Sequence, residues 1–177
     1  MILSAFILDN MEAILQEWEN FAKTLFKAVQ SKKTLRDHAK KMLLVIALDL
    51  QQEQSKLEQT AKSKGQQLPG DIHETAAEEH GIARLEEGFS INEIAAEYRA
   101  LRASVTKLWG DAKKTIHASD INDLIRFNEA IDQSLNESIV SYSLSKEQQT
   151  RHFNTMLSSS PDLSCIIDTD GVFLYVN

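Results

Sequence analysis

The sequence predicts an all-α protein, and three observations carry the prediction. Six Gly and two Pro are spread over 177 residues, with none between Met1 and Lys64 and none between Asp111 and Ser160. Those two residue types carry most tight turns, so such stretches suit helices and exclude a sandwich or barrel. Apolar residues recur at steps of three and four along most of the chain, the spacing of one helical face. Runs rich in β-formers appear only after Pro161.

The first helix carries Ile14, Trp18, Phe21, Leu25 and Ala28 on one face, widened by Leu15, Ala22, Phe26 and Val29. Asp9 or Asn10 is placed to cap it. Before it, Met1 to Leu8 is apolar without a basic leader, and Asp9, Asn10 and Glu12 follow at once; it reads as a docking segment rather than a signal peptide. The second helix opens at Thr34, with Asp37 as a weak partner in a capping box. Leu35, Ala39, Met42, Leu43, Ile46 and Leu50 form its stripe, and a polar tail from Gln51 runs on until Gly65 and Pro69-Gly70 break it. The third helix, about Asp71 to Glu87, uses mainly small apolar positions, Ala76, Ala77, Gly81 and Ala83, which predicts a close crossing with a neighbour; Gly88 ends it. Ser90-Ile-Asn-Glu93 is a full capping box. It opens a fourth helix with Ile91, Ile94, Tyr98, Leu101, Val105 and Leu108, ending near Gly110.

The last helix opens at Ser119 or Asp120, and nothing stops it before Ser158. Ile121, Leu124, Asn128, Ile131 and Leu135 keep a heptad-like step, and Ile139, Tyr142, Gln149 and Phe153 carry it on after a shift of one residue. A helix of that length, roughly 55–60 Å at 1.5 Å per residue, exceeds what a domain of this size buries. Its C-terminal half is therefore expected to project or to pair with another chain; Asn128 resembles the polar residue that fixes register in paired helices, and an Asn buried within one chain is the alternative. A break near Ser141-Tyr-Ser-Leu-Ser145 is the alternative. Beyond Ser158, Cys165-Ile-Ile-Asp168 and Val172-Phe-Leu-Tyr-Val176 flank Asp170-Gly171, a hairpin signal. A lone hairpin is marginal in water, so the tail reads as the start of a longer domain. The expected division is a helical bundle over 1–119, a signalling helix over 120–157 and a β fragment over 158–177.

Charge and composition narrow the function. A net charge of -7 and a pI near 5.2 disfavour nucleic acid or an anionic membrane as a standing partner, since both need a clustered positive field. Cys165 is the only cysteine, which leaves neither a disulfide nor a thiolate zinc site. The longest apolar run, Met42 to Leu48, falls far short of the roughly 20 residues of a spanning helix, so the expected location is the cytoplasm. Residues 21–64 hold ten basic and four acidic side chains, whereas 71–104 hold three and eight; the two segments are matched to face each other within or between subunits.

Ser160-Pro-Asp-Leu-Ser-Cys-Ile-Ile-Asp-Thr-Asp-Gly-Val-Phe-Leu-Tyr-Val-Asn177 resembles the opening of a PAS domain, where Pro-Asp after a helix leads through an Asp-Gly turn to a strand ending in Val-Asn. Residues 11 to about 157 resemble the helical input domain of stressosome RsbR-type co-antagonists and of bacterial sensor kinases. The residues that carry this likeness are Trp18, Leu35-Arg-Asp-His38, His80-Gly-Ile-Ala-Arg84, Glu87-Gly-Phe89, Glu97-Tyr-Arg-Ala-Leu-Arg102 and Leu108-Trp109. The resemblance implies a globin-like or four-to-five-helix bundle with no catalytic motif. It implies a signal-input and dimerisation region of a sensor histidine kinase, relaying a conformational signal to PAS and kinase modules of the same chain. A non-catalytic scaffold and a metal- or haem-bearing sensor are the alternatives.

The candidate network is His38, His80, Arg84, Glu97, Arg99 and Arg102. Glu97 and Arg99 do not share a helical face, whereas Arg99 and Arg102 do. Neither His38 nor His80 matches a phosphotransfer box: Gly81 follows His80 with no nearby proline, and His38, followed by Ala39-Lys-Lys, suits such a box slightly better but lacks the glycine next to it. His73 and His80 are seven apart, whereas single-helix metal sites use spacings of three or four. The expectation is no metal and no cofactor. No Gly-rich phosphate loop occurs, so this chain is not expected to act on ATP.

Overall fold

The structure, a computed structural model, describes residues 2–25, 32–52, 75–159 and 165–176, with 22–25 and 32–35 as backbone only. The described chain forms α1 (Leu3–Asp9), α2 (Met11–Leu25), α3 (Lys32–Gln51), α4 (Ala76–Glu86), α5 (Ile91–Ala112) and α6 (Ala118–Ser159), then β1 (Cys165–Ile167) and β2 (Phe173–Val176). The predicted all-α class with a long last helix and a short hairpin is what is found. Two compact units divide it, Met1–Tyr142 and Ser143–Asn177. The boundary falls inside α6 rather than near 119, because α6 carries core residues as far as Tyr142.

The segment expected to dock is a helix of the core. Leu3, Phe6 and Ile7 of α1 are buried beside Ile14, Leu15 and Trp18 of α2, and the Leu3 amide donates to Asp123 Oδ2 at 2.9 Å. Asn10 turns its side chain back to Phe6 O (3.0 Å), so it closes α1 instead of capping α2. Phe21, expected on the core face of the first helix, is 41% exposed. Phe26, Ala28 and Val29 lie outside the described residues.

Thr34 falls inside α3 rather than at its start. The helix also stops at Gln51 instead of running on, because Arg126 of α6 donates to the carbonyls of Asp49 (3.0 Å), Leu50 (3.2 Å) and Gln52 (2.8 Å). A cation on the last carbonyls is a favourable helix end. The expected tail from 53 to 65 lies outside the described residues, as do 71–74.

α4 starts at a capping box missed in the sequence. Thr75 Oγ1 accepts from the Glu78 amide (3.1 Å) and Glu78 Oε2 accepts from the Thr75 amide (2.7 Å). It ends on Gly88 at φ 80, where the Phe89 amide reaches Arg84 O (2.9 Å) and the Gly88 amide reaches Leu85 O (3.0 Å). This paired return is the left-handed helix stop that glycine favours. The Ser90–Glu93 box opens α5 as expected, but Gly110 lies within the helix, which runs to Ala112.

α6 is continuous through Ser141–Ser145. In the second unit β1 and β2 pair antiparallel, with Ile166 opposite Tyr175. Asp168 Oδ1 accepts from the amides of Asp170 and Val172, both at 2.9 Å, and Gly171 takes φ 84. Val172, Phe173 and Leu174 are exposed.

Candidate functional site

α4 presents Gly81 to α6, and the fit leaves no room for a side chain: a Cβ on Gly81 would lie 2.2 Å from Ser138 O. The close crossing expected from the small residues of this helix is therefore made at Gly81. The approach lets α6 side chains reach helical carbonyls of α4. Ser138 Oγ donates to Ala77 O at 2.6 Å and Ser141 Oγ to Glu78 O at 3.1 Å. Past the end of α4, the Tyr142 hydroxyl donates to Phe89 O at 2.8 Å, and Thr75 Oγ1 donates to Glu137 Oε2 at 3.0 Å.

One turn apart on α4, His80 and Arg84 point towards α5 and meet Glu97, all three essentially fully buried. Arg84 Nε lies 3.1 and 2.9 Å from the two carboxylate oxygens of Glu97, and His80 Nε2 lies 3.1 Å from Oε2. Arg84 Nη1 reaches Glu87 Oε2 at 2.5 Å, and its guanidinium carbon stands 4.9 Å from the centre of the Phe89 ring. Desolvating such charges costs several kcal/mol per ion unless partners are well placed. Burial alone pushes the Glu97 carboxyl up, but the close approach and field of His80, with the hydrogen bonds and field of Arg84, outweigh it and hold the group below the usual carboxylate range. Trp18 Nε1 donates to the backbone oxygen of Glu97 at 3.2 Å, which ties α2 to the same residue.

Two rings extend the cluster. His38 of α3 and Tyr98 of α5 each stand edge-on to His80, with centroids 5.7 Å away in both cases. Burial pushes the Tyr98 hydroxyl far above its ordinary range. That hydroxyl lies 2.8 Å from Ser138 Oγ, which has given its own proton to Ala77 O, so Tyr98 is the donor. His38 is half-buried; burial first, then the charges of Arg84 and His80, lower its pKa.

The sequence-derived network is thus divided. His38, His80, Arg84 and Glu97 come together, whereas Arg99 is exposed and Arg102 pairs with Asp132 of α6, away from Glu97. Glu87, Tyr98 and Ser138 are members that sequence reasoning missed. Glu87 sits three residues after Arg84, a spacing that signals pairing; Tyr98 reads as an ordinary core position, and nothing local marks Ser138.

Of the proposed signalling-helix row, Ile131 and Tyr142 are buried in the chain's own core. Leu124 and Leu135 are partly buried against it, Asn128 and Ile139 are half-buried, and Ile121 is exposed. Phe127 and Ala130, not in that row, complete the buried stripe.

Among the described residues, no group of three or more His, Cys, Asp or Glu side chains is placed to hold a metal ion; His73 lies outside them. No described helix is long and apolar enough to cross a membrane. The opposite charges expected between 21–64 and 71–104 meet at Lys41 and Glu79, 3.5 Å apart. The cluster and the rings on it join α4, α5, α2 and α6 through hydrogen bonds and ion pairs, and α3 through the ring contact of His38. No family model, curated protein or solved structure matches the chain.

Proposed function

We propose that the chain is the cytoplasmic signal-input and dimerisation region of a bacterial sensor histidine kinase, which passes a conformational bias along α6 to a PAS domain that the β1–β2 hairpin opens. One observation carries this reading: the residues that pack on the buried ion cluster are themselves hydrogen-bonded to α6. Tyr98, edge-on to His80, bonds Ser138, and Phe89, beneath the Arg84 guanidinium, offers its carbonyl to Tyr142. A change in how α3, α4 and α5 pack around Glu97 therefore alters the hold on α6 at the point where the helix leaves the first unit. Interfaces of this sort have discrete arrangements, which is what a two-state relay needs.

Pairing between subunits uses α6 beyond Tyr142, because much of the earlier row is occupied within the chain's own core. Leu144, Phe153 and Met156 are exposed there. The test is the absolute mass of the full chain by light scattering, with a Phe153→Glu, Met156→Glu variant alongside. A dimer of twice 20.0 kDa that becomes a monomer in the variant is expected. A monomeric parent overturns transmission between paired helices.

A further inference from the structure

α3 packs against α4. The described polar part of the contact consists of the edge-on approach of His38 to His80, with ring planes at 79°, and the Lys41–Glu79 ion pair at 3.5 Å. His38 Nδ1 is buried with no hydrogen-bond partner among the described residues, and the same holds for both ring nitrogens of His80, whose Nε2 lies 3.1 Å from Glu97 Oε2 without hydrogen-bond geometry. At His38 a neutral imidazole tolerates this arrangement, since one of its nitrogens is a bare acceptor; an imidazolium must donate from both. The charged form of His38 would place a second donor where no described residue accepts it.

The surrounding cations act the same way, and Glu87 opposes them. From α4 and the turn after it, His38 faces Arg84, His80 and Glu87, and from its own helix Lys41. Glu87 is the one acid among them, and it is already bound to Arg84 Nη1. Behind His80, both carboxylate oxygens of Glu97 are taken by Arg84 and His80, and the Tyr98 hydroxyl is held by Ser138. Arg36, nearer the start of α3, is bound to Glu12 and Glu19 of α2.

We propose that His38 makes the α3–α4 contact sensitive to proton concentration: taking up a proton at Nδ1 drives α3 away from α4 and, through His80, Tyr98 and Ser138, loosens the hold on α6. The first step stands on the geometry around His38; the second rests on the relay reading above. The sign follows from a base whose proton affinity is lowered on packing. The packed arrangement is favoured in full above the ordinary histidine value of about 6.5. That advantage is lost as pH falls from there through the lowered value, because the released arrangement binds the extra proton.

The test follows the full chain between about pH 8 and 5, the range in which histidines titrate. It uses imidazole resonances for His38, the fluorescence of Trp18 for the cluster, and amide exchange of residues 138–142 for α6. His38 is expected to titrate below about 6.5, with both other signals following the same midpoint. Exchange at 138–142, corrected for intrinsic rate, should speed up about tenfold for each unit by which His38 is depressed. His38→Gln should remove the transition, and His152→Gln, on an exposed position of the second unit, should keep it. A His38 that titrates at or above the ordinary value overturns the proposal without recourse to any variant. An unchanged transition in His38→Gln overturns it too. If His38 titrates low and Trp18 responds while 138–142 stay protected, the coupling to α6 falls, and the relay reading with it.

Discussion

Replacing Gly81 with Ala adds one methyl group at the closest approach of α4 and α6, and its consequence can be worked out from the contact. The new Cβ would stand 2.2 Å from Ser138 O and 2.9 Å from Ser138 C. Both atoms are helix backbone, so no side chain can rotate away and the helices must separate. Overpacking of this kind costs about 1–3 kcal/mol. Separation also stretches the Ser138–Ala77 and Tyr98–Ser138 hydrogen bonds, 2.6 and 2.8 Å long, at about 1 kcal/mol each. Alanine returns about 1 kcal/mol through its better helix propensity. The net expectation is a loss of about 2–4 kcal/mol. Gly110→Ala is the matched control: it makes the same change inside α5, where nothing lies within 4 Å of the added Cβ, and should be neutral or stabilising by up to about 1 kcal/mol. Urea unfolding followed by far-ultraviolet circular dichroism reads both. Equal stabilities for the two variants would refute the close-crossing argument, and with it the account of how α6 reaches the α4 carbonyls.

Glu97→Gln leaves Arg84 and His80 buried without their shared carboxylate, and a loss of about 3–5 kcal/mol in urea unfolding at neutral pH is expected. Because the folded carboxyl sits below its ordinary value, the parent's stability is fully present above about 4.3 and declines as pH falls through the folded value. The variant should show a flatter acid limb over the same range, and parallel limbs would contradict the assignment. Thr75→Ala and Ser90→Ala each remove a helix cap worth about 1 kcal/mol. Thr75 also holds Glu137 of α6, so its variant should lose about 1 kcal/mol more; identical urea midpoints would remove that link.

What the sequence determined by itself is local in origin. The scarcity of Gly and Pro, the three-four spacing and the Ser90–Glu93 box specify helices because backbone hydrogen bonds and caps involve residues within four positions of one another. The Asp170-Gly171 turn is legible for the same reason. His80 and Arg84 share a face by spacing alone. Which of the charged residues of α5 joins the buried cluster was not decided at that level: only the rotation of α5 about its axis buries Glu97 and exposes Arg99. Tertiary contact likewise made a core helix of Leu3–Asp9, since its three buried apolar residues are a weak signal until α2 and α3 cover them. It ended α3 at Gln51 through Arg126, more than seventy residues away along the chain. It also turned the row on α6 inward to Tyr142, because a helical stripe records that a face is covered and carries nothing about whether the cover is its own chain or another.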